Sequence, residues 1–343
     1  MTTTPRRRIR AAAAAAAALA VVACAEPPLA TSELPAQPIV LVHRTPEEGR
    51  RRADALQRSR NEGPAHEEGV ARVQDLAAFF GGGRASVPLE YAGEVAFLDP
   101  SSGTLTPLAG LPRGAQPLSW TPGHRRFLYA VARPDRTPVQ VYEYDVTTAE
   151  VLPLATAAPN VISAASTGDG RLALVCLVPD RRLRTRILVQ EPGRKARPLS
   201  DGPLDRSPAW SPDGRTLVYV SQTDDRGDVL VAVRMDVEEG APAESRVLAR
   251  GRDPVFTPDG EWVVYSATTS SGQRLWRVRP DGGGRAPLGE GLHDEVHPAV
   301  SPDGRFVAYV SQEADREYLR VRRFDGSGDR LLLESGDAST PAW

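Results

Sequence analysis

The 343-residue chain has little cysteine, one lysine and no strong charge of either sign. Its two cysteines, Cys24 and Cys176, exclude a disulfide-stapled scaffold and a multi-cysteine zinc centre. Every basic residue except Lys195 is arginine, a mark of GC-rich coding that carries no functional reading. A net charge of −2 excludes the basic footprint of a nucleic-acid binder. No Gly-x-Ser-x-Gly nucleophile elbow occurs, so nothing points to an α/β-hydrolase site. What is present is ordinary for a folded chain: 41% hydrophobic and 25% charged residues, which excludes a mainly disordered protein.

The first 24 residues have the layout of an export signal. Arg6, Arg7, Arg8 and Arg10 precede an apolar run of 13 residues, Ala11 to Ala23. That run falls short of the roughly 20 residues needed to span a bilayer. The ending Val21-Val22-Ala23-Cys24 resembles the bacterial lipobox, which implies lipidation of Cys24 as the new N-terminus. Several acyl chains there would hold the protein on a membrane. Removing residues 1–23 takes four arginines and no acid, which leaves a net charge of −6. Residues 25–64 read as a tether, Pro/Ala-rich at first and then charged. Residues 65–84 carry Val70, Val73, Leu76, Ala77 and Phe80 at spacings of three and four, which predicts a short amphipathic helix.

Beyond residue 85 the chain repeats. The clearest units are Ser207-Pro-Ala-Trp-Ser-Pro-Asp-Gly-Arg215, Asp253-Pro-Val-Phe-Thr-Pro-Asp-Gly-Glu261 and His297-Pro-Ala-Val-Ser-Pro-Asp-Gly-Arg305. Weaker copies lie at Ser119–Arg125 and Ser166–Arg171. Aligned on the turn, Gly123, Asp169, Asp213, Asp259 and Asp303 follow at intervals of 46, 44, 46 and 44 residues. Each unit reads as a short strand, an Asp-Gly hairpin turn with positive φ, an apolar strand and two further strands. Four strands per roughly 45 residues is the blade of a β-propeller. The last residues, Thr340-Pro-Ala-Trp343, repeat Ser207-Pro-Ala-Trp210 and stop before a sixth turn. Three N-terminal strands, Val87–Tyr91, Glu94–Leu98 and Leu105–Leu108, are expected to complete that blade and close a six-bladed ring over residues 85–343. Closure removes the open edge that invites aggregation.

The Pro-x-Trp/Phe-Ser/Thr-Pro-Asp-Gly-Arg pattern resembles the WD40-like repeat of the TolB family, over about three-quarters of the chain. The resemblance implies an all-β, six-bladed propeller of the cell envelope. It also implies a binding role, since TolB works in the Tol-Pal system and binds the peptidoglycan-associated lipoprotein at its propeller. Too few residues precede the repeats for the N-terminal α/β domain of that family. The expectation is therefore a monomeric TolB-like lipoprotein without enzymatic activity. It would be anchored through Cys24 on the periplasmic face of the outer membrane and would bind an envelope or peptidoglycan-associated partner. No cofactor, metal or nucleic acid is expected.

One repeat position is the candidate binding site. The residues before the proline slot are Pro117, Ser163, Ser207, Asp253, His297 and Thr340, and five of the six are polar. In a closed ring they recur around one mouth of the central channel, where convergent polar groups receive a ligand or partner. Trp120, Trp210 and Trp343 share another slot and are expected to fill space between blades. The alternative is a lyase or hydrolase at the channel mouth, with a metal on Asp253 and His297. The string His293-Asp-Glu-Val-His297 departs from the His-Glu-x-x-His order of a helical zinc site and reads as a loop entering a strand.

Overall fold

The computed structural model describes residues 29–62, 72–74, 86–131, 139–178, 184–223, 227–236, 244–291, 293–313, 316–333 and 336–343. The export signal and Cys24 lie outside these residues. Six four-stranded antiparallel sheets stand around a common axis. Their inner strands are Gln116–Trp120, Val161–Ser166, Arg206–Trp210, Arg252–Phe256, Asp294–Val300 and Asp337–Ala342, which define the first to sixth blades. The all-β, six-bladed architecture expected from the repeat is the one observed.

The Ser/Thr-Pro-Asp-Gly motif builds each hairpin turn in the same way. Ser211 Oγ donates to Asp213 Oδ1 at 2.6 Å, and the Arg215 N–H donates to the same oxygen at 3.0 Å. The Thr216 N–H returns to Ser211 Oγ at 2.9 Å. The Gly214 N–H closes the turn on the Ser211 carbonyl, with Gly214 at φ 67°. Ser301, Asp303 and Gly304 repeat the arrangement in the fifth blade. Only the glycine takes the left-handed conformation. The aspartate earns its place by its side chain, as an acceptor for two donors of the turn.

Each apolar cluster belongs to two neighbouring blades. Ile162, Val175 and Ile187 of the second blade pack with Trp210, Leu217 and Val233 of the third. Val218, Val220 and Leu230 of the third pack with Phe256, Val263 and Tyr265 of the fourth. A blade therefore buries its faces only when both neighbours are in place.

The sixth blade corrects the sequence reading. Its second strand is Ile39–Arg44, not Val87–Tyr91. Val40 pairs with Ala342 and Val42 with Ser339 on one side, and Val40 pairs with Phe97 and Val42 with Val95 on the other. Ile39, Val40, Leu41 and Val42 are all fully buried. A continuous apolar run suits a strand covered on both faces, which alternation does not reveal. Val87–Tyr91 is instead divided at Pro88: Ser86–Pro88 pairs with Arg72–Gln74, and Leu89–Tyr91 forms a 3-10 turn. Within the stretch read as a helix over 65–84, only Arg72–Gln74 is described, and it is a strand.

The tether assigned to 25–64 is likewise folded over residues 29–62. Leu29 and Leu34 are buried among Phe306, Leu319 and Trp343. Pro46–Glu62 is a helix that begins with a capping box. The Thr45 N–H donates to Glu48 Oε2 at 2.7 Å, and the Glu48 N–H returns to Thr45 Oγ1 at 3.3 Å. Among the described residues no helix is long and apolar enough to cross a membrane.

Two outcomes follow. Leu41→Ala leaves a cavity between the fifth and sixth blades and should cost about 2–5 kcal/mol, read as a fall in the denaturation midpoint. Acid should also weaken the turns. The Arg171 guanidinium and the Thr167 hydroxyl hold the Asp169 carboxyl down to about 2, from an ordinary 3.8. The folded chain then binds fewer protons than the unfolded chain. The stabilisation is fully present above the ordinary value and is lost as pH falls towards about 2. Denaturation midpoints measured across this range should fall less steeply for Asp169→Asn than for the wild type.

Candidate binding channel

The six inner strands share an irregularity. In the third blade Arg206 pairs with Val220 and Ala209 with Val218, so one extra residue sits on the inner strand. The same excess separates Arg252 from Val255, Val296 from Ala299, and Ser339 from Ala342. In the third to sixth blades a proline follows the slot. Pro208, Pro254, Pro298 and Pro341 have no N–H for the ladder, and a bulge is where a strand tolerates that loss. The residue before each of these prolines is left-handed: Ser207 at φ 50°, Asp253 at 54°, His297 at 51° and Thr340 at 48°. Ser163, followed by Ala164 rather than proline, is not among the left-handed residues.

All six slot residues, Pro117, Ser163, Ser207, Asp253, His297 and Thr340, line one central cavity of about 1250 Å³. They lie within the inner strands, with Gln116, Arg206, Arg252 and Asp294 towards one end and Trp120, Trp210, Phe256 and Trp343 towards the other. The six slot residues are thus brought together on one cavity wall.

The polar contacts of this ring are incomplete. His297 Nδ1 lies 3.3 Å from Asp253 Oδ2, across the boundary between the fourth and fifth blades. That oxygen is buried and accepts no hydrogen bond from a protein donor, and Thr340 Oγ1 is buried without a protein partner. Buried polar atoms left in this state are costly, and they are where a bound group finds its contacts. Among the described residues no three His, Cys, Asp or Glu side chains gather as a metal centre. His293 lies 3.8 Å from Glu313. Cys176 is buried, and burial pushes its thiol up to about 11, so it offers no thiolate nucleophile.

The helix Pro46–Glu62 stands at the channel. Its Arg52 and Leu56 reach the cavity wall. Arg52 lies 3.4 Å from Glu317, which also receives Arg44 at 3.7 Å. Gly49 is required for this seat: a Cβ there would stand 1.9 Å from Asp337 Oδ2. Burial raises the Asp337 carboxyl above its ordinary value, and the Glu317 charge adds to the effect. In the third and fourth blades, Asp228 takes Arg206 at 2.6 Å and Arg252 at 3.3 Å. Sequence reasoning missed Arg52 and Leu56 because they stood in the presumed tether. It missed Arg206 and Arg252 although both immediately precede a slot residue, and that repetition was the available signal.

At the other end, aromatic rings and turn prolines surround the opening. Trp120 Nε1 donates to the Ala342 carbonyl at 3.2 Å, and Trp343 Nε1 donates to the Gln37 carbonyl at 2.9 Å. Trp210 packs between the second and third blades, and Trp120 and Trp343 also pack between blades. The tryptophans thus bridge blades and edge the channel at once.

The left-handed ring carries strain that glycine would relieve. A side chain in this conformation costs about 1–2 kcal/mol, more for a β-branched residue, while glycine loses roughly 0.5–1 kcal/mol through unfolded-state entropy. Thr340→Gly should therefore raise stability by about 0.5–1 kcal/mol, and Thr340→Ala should not. Denaturant melts of the two variants check this.

No family model matches the chain. An uncharacterized protein of Agrobacterium fabrum is 31% identical over 149 residues, which cover 39% of this chain and 49% of that protein. A TolB homolog of Chlorobium luteolum is 30% identical over 108 residues, covering 32% and 24%. The chain thus spans half or less of the length of these curated relatives. Among solved structures, TolB of Acinetobacter baumannii superposes with a TM-score of 0.62 at 16% identity, covering 99% of this chain and 74% of that one. With six four-stranded blades and a closing blade shared by its two ends, the chain carries a β-propeller of the TolB type.

Proposed function

We propose that this protein is a non-enzymatic lipoprotein of the cell envelope whose propeller channel binds another envelope protein. The observation that carries the reading is the ring of Ser207, Asp253, His297 and Thr340. Four side chains are held in a strained backbone conformation and turned towards an open cavity. Strain of this kind persists where the surroundings over-determine it, and it clusters at ligand clamps. The likeness to TolB structures and to a TolB homolog supports a binding role. The lipobox supports the anchor: Cys24 carries the acyl chains, and the chain sits on the periplasmic face of the outer membrane. The partner enters through the aromatic end, since Arg52 and Leu56 of the helix Pro46–Glu62 stand on the cavity wall away from it. Donors on the partner meet Asp253 Oδ2 and Thr340 Oγ1.

An enzyme at the same place rests on the Asp253–His297 contact alone, which supplies one acid–base pair and no further group. Metal analysis of the purified chain tests it. A stoichiometric ion that disappears in the Asp253→Ala, His297→Ala double variant would favour the enzyme.

The binding reading is tested by crosslinking the full-length lipoprotein in cells and identifying captured proteins by mass spectrometry. The wild type should recover one envelope protein, and the double variant should lose it at least tenfold. Equal recovery by both moves the binding surface away from the channel. Recovery of no specific protein by either sinks the proposal.

A further inference from the structure

An acylated Cys24, as proposed above, holds the propeller close to its membrane. Five residue steps separate Cys24 from Leu29. Five residues fully extended span at most about 18 Å. The polar headgroup layer of a bilayer takes up part of that reach. Leu29 itself is fixed on the fifth blade. It is 1% exposed, and its carbonyl accepts Arg330 Nη1 at 3.0 Å. A Cβ on Gly328 would stand 3.3 Å from the Leu29 Cβ. Further along, the Glu33 carboxylate meets Arg323 at 2.9 Å, and the Glu33 carbonyl accepts Arg305 Nη2 at 3.4 Å. The anchor therefore brings the fifth blade, and not a long tether, to the headgroups.

Leu29 packs beside the turn at 323–327, which the Gly326 N–H closes on the Arg323 carbonyl at 2.9 Å. This turn and its counterpart at 279–283 follow the third strands of the fifth and fourth blades. In a blade of antiparallel strands they lie on the face that also carries the Asp-Gly turns, and the Phe324 N–H donates to the Arg305 carbonyl at 2.8 Å. On that face arginine is regularly matched with an acid. Arg125 meets Asp145 at 2.9 Å, Arg171 meets Asp169 at 2.9 Å, and Arg234 meets Asp236 at 3.0 Å. Arg277 and Arg279 break the pattern. Among the described residues neither has a carboxylate within 4.0 Å.

Both guanidiniums are stacked on aromatic rings instead. Arg277 lies 4.8 Å from the Trp262 ring centroid and 5.1 Å from that of Phe324, so it bridges the fourth blade to the turn beside Leu29. Arg279 lies 5.1 Å from the Trp262 centroid and is exposed. A guanidinium stacked on a ring keeps its N–H edge for an anion, and phosphate suits that edge. The Arg277 Nε is buried with no hydrogen-bond partner. The nearby acids Asp281 and Asp325 are turned onto their own loops, where they accept the Gly283 N–H at 2.7 Å and the Ser327 N–H at 2.9 Å. Trp262 is half-buried, and an indole at a surface sits readily at headgroup level. Trp262, Arg277, Arg279 and Phe324 all lie outside the lining of the central cavity.

We infer that the rim of the fourth and fifth blades carrying Trp262, Arg277, Arg279 and Phe324 docks on the phospholipid surface of the membrane that holds Cys24. Arg277 and Arg279 take lipid phosphates there. The docking rests on the lipid anchor and goes beyond it: the anchor limits the height of the propeller, and the rim sets its tilt. Two independent features select this occupant, the short reach from Cys24 to Leu29 and the two guanidiniums without acids. The channel takes no part in the contact.

Fluorescence quenching of the full-length lipoprotein tests it, in vesicles of phosphatidylglycerol and phosphatidylethanolamine that carry a quencher on the headgroup. A fluorophore goes on one introduced cysteine, since acylation occupies Cys24 and burial shields Cys176. Glu261→Cys reports the rim, and Arg197→Cys reports the outer strand of the second blade, across the ring. The label at 261 should be quenched several-fold more than the label at 197. Adding Arg279→Glu, an exposed change that leaves the core untouched, should remove much of that difference. Vesicles of phosphatidylcholine, which carry no net charge, should do the same. Circular dichroism checks that each variant is folded. The mass of the mature chain separates the two ways of failing. A chain without acyl mass overturns the anchor and the docking together. An acylated chain quenched equally at 261 and 197 overturns the docking alone. So does quenching at 261 that ignores Arg279→Glu and lipid charge, because the anchor by itself would then set the distance.

Discussion

The pairing of Ile39–Arg44 with Asp337–Ala342 is the contact on which the rest of the molecule depends. A propeller blade has no core of its own. Val40 reaches the cluster shared with the first blade, and Ile39 and Leu41 reach the cluster shared with the fifth. Without this strand, two of the six interblade cores lose their centre and the ring becomes an arc. Two tryptophans secure the junction, Trp120 on Ala342 and Trp343 on Gln37. The closure thus combines ladder hydrogen bonds, apolar burial and indole donors at one seam.

The ring in turn explains how the channel keeps its form. A left-handed residue before proline is unfavourable in an isolated strand. Here the bulge recurs in neighbouring blades, and each inner strand is paired to its own blade and packed against the next. The cost is spread over a structure that cannot relax one blade alone. Channel side chains are therefore set by backbone geometry more than by their own contacts, which is why Asp253 Oδ2 and Thr340 Oγ1 remain without protein hydrogen bonds.

Much of the fold was legible because repetition is a stronger signal than propensity. The spacing of Asp169, Asp213, Asp259 and Asp303 located the turns, and the copy of Ser207–Trp210 at Thr340–Trp343 located the shared blade. The slot residues were also legible, since a ring maps one repeat position onto one level of the channel. Ile39–Arg44 was not. It is a lone strand outside the repeat, preceded by Pro35 and Pro38, and buried on both faces, so neither period nor alternation marks it. The helix Pro46–Glu62 was obscured by its arginines. Its inward face, Gly49, Arg52 and Ala55, is held by charge and close approach rather than by an apolar stripe.

The shared blade has a consequence for how the protein is made. Gln37 and Trp343 are 306 positions apart and meet in the finished ring. Contacts between remote residues are slow to form. A chain emerging from its N-terminus presents Ile39–Arg44 first and must keep that strand available until the final residues arrive. During this interval one side of the strand has no partner of its own chain. Two incomplete molecules at close quarters can then exchange final strands, each closing the other's ring. The same seam that makes the mature propeller continuous makes domain swapping its characteristic folding error.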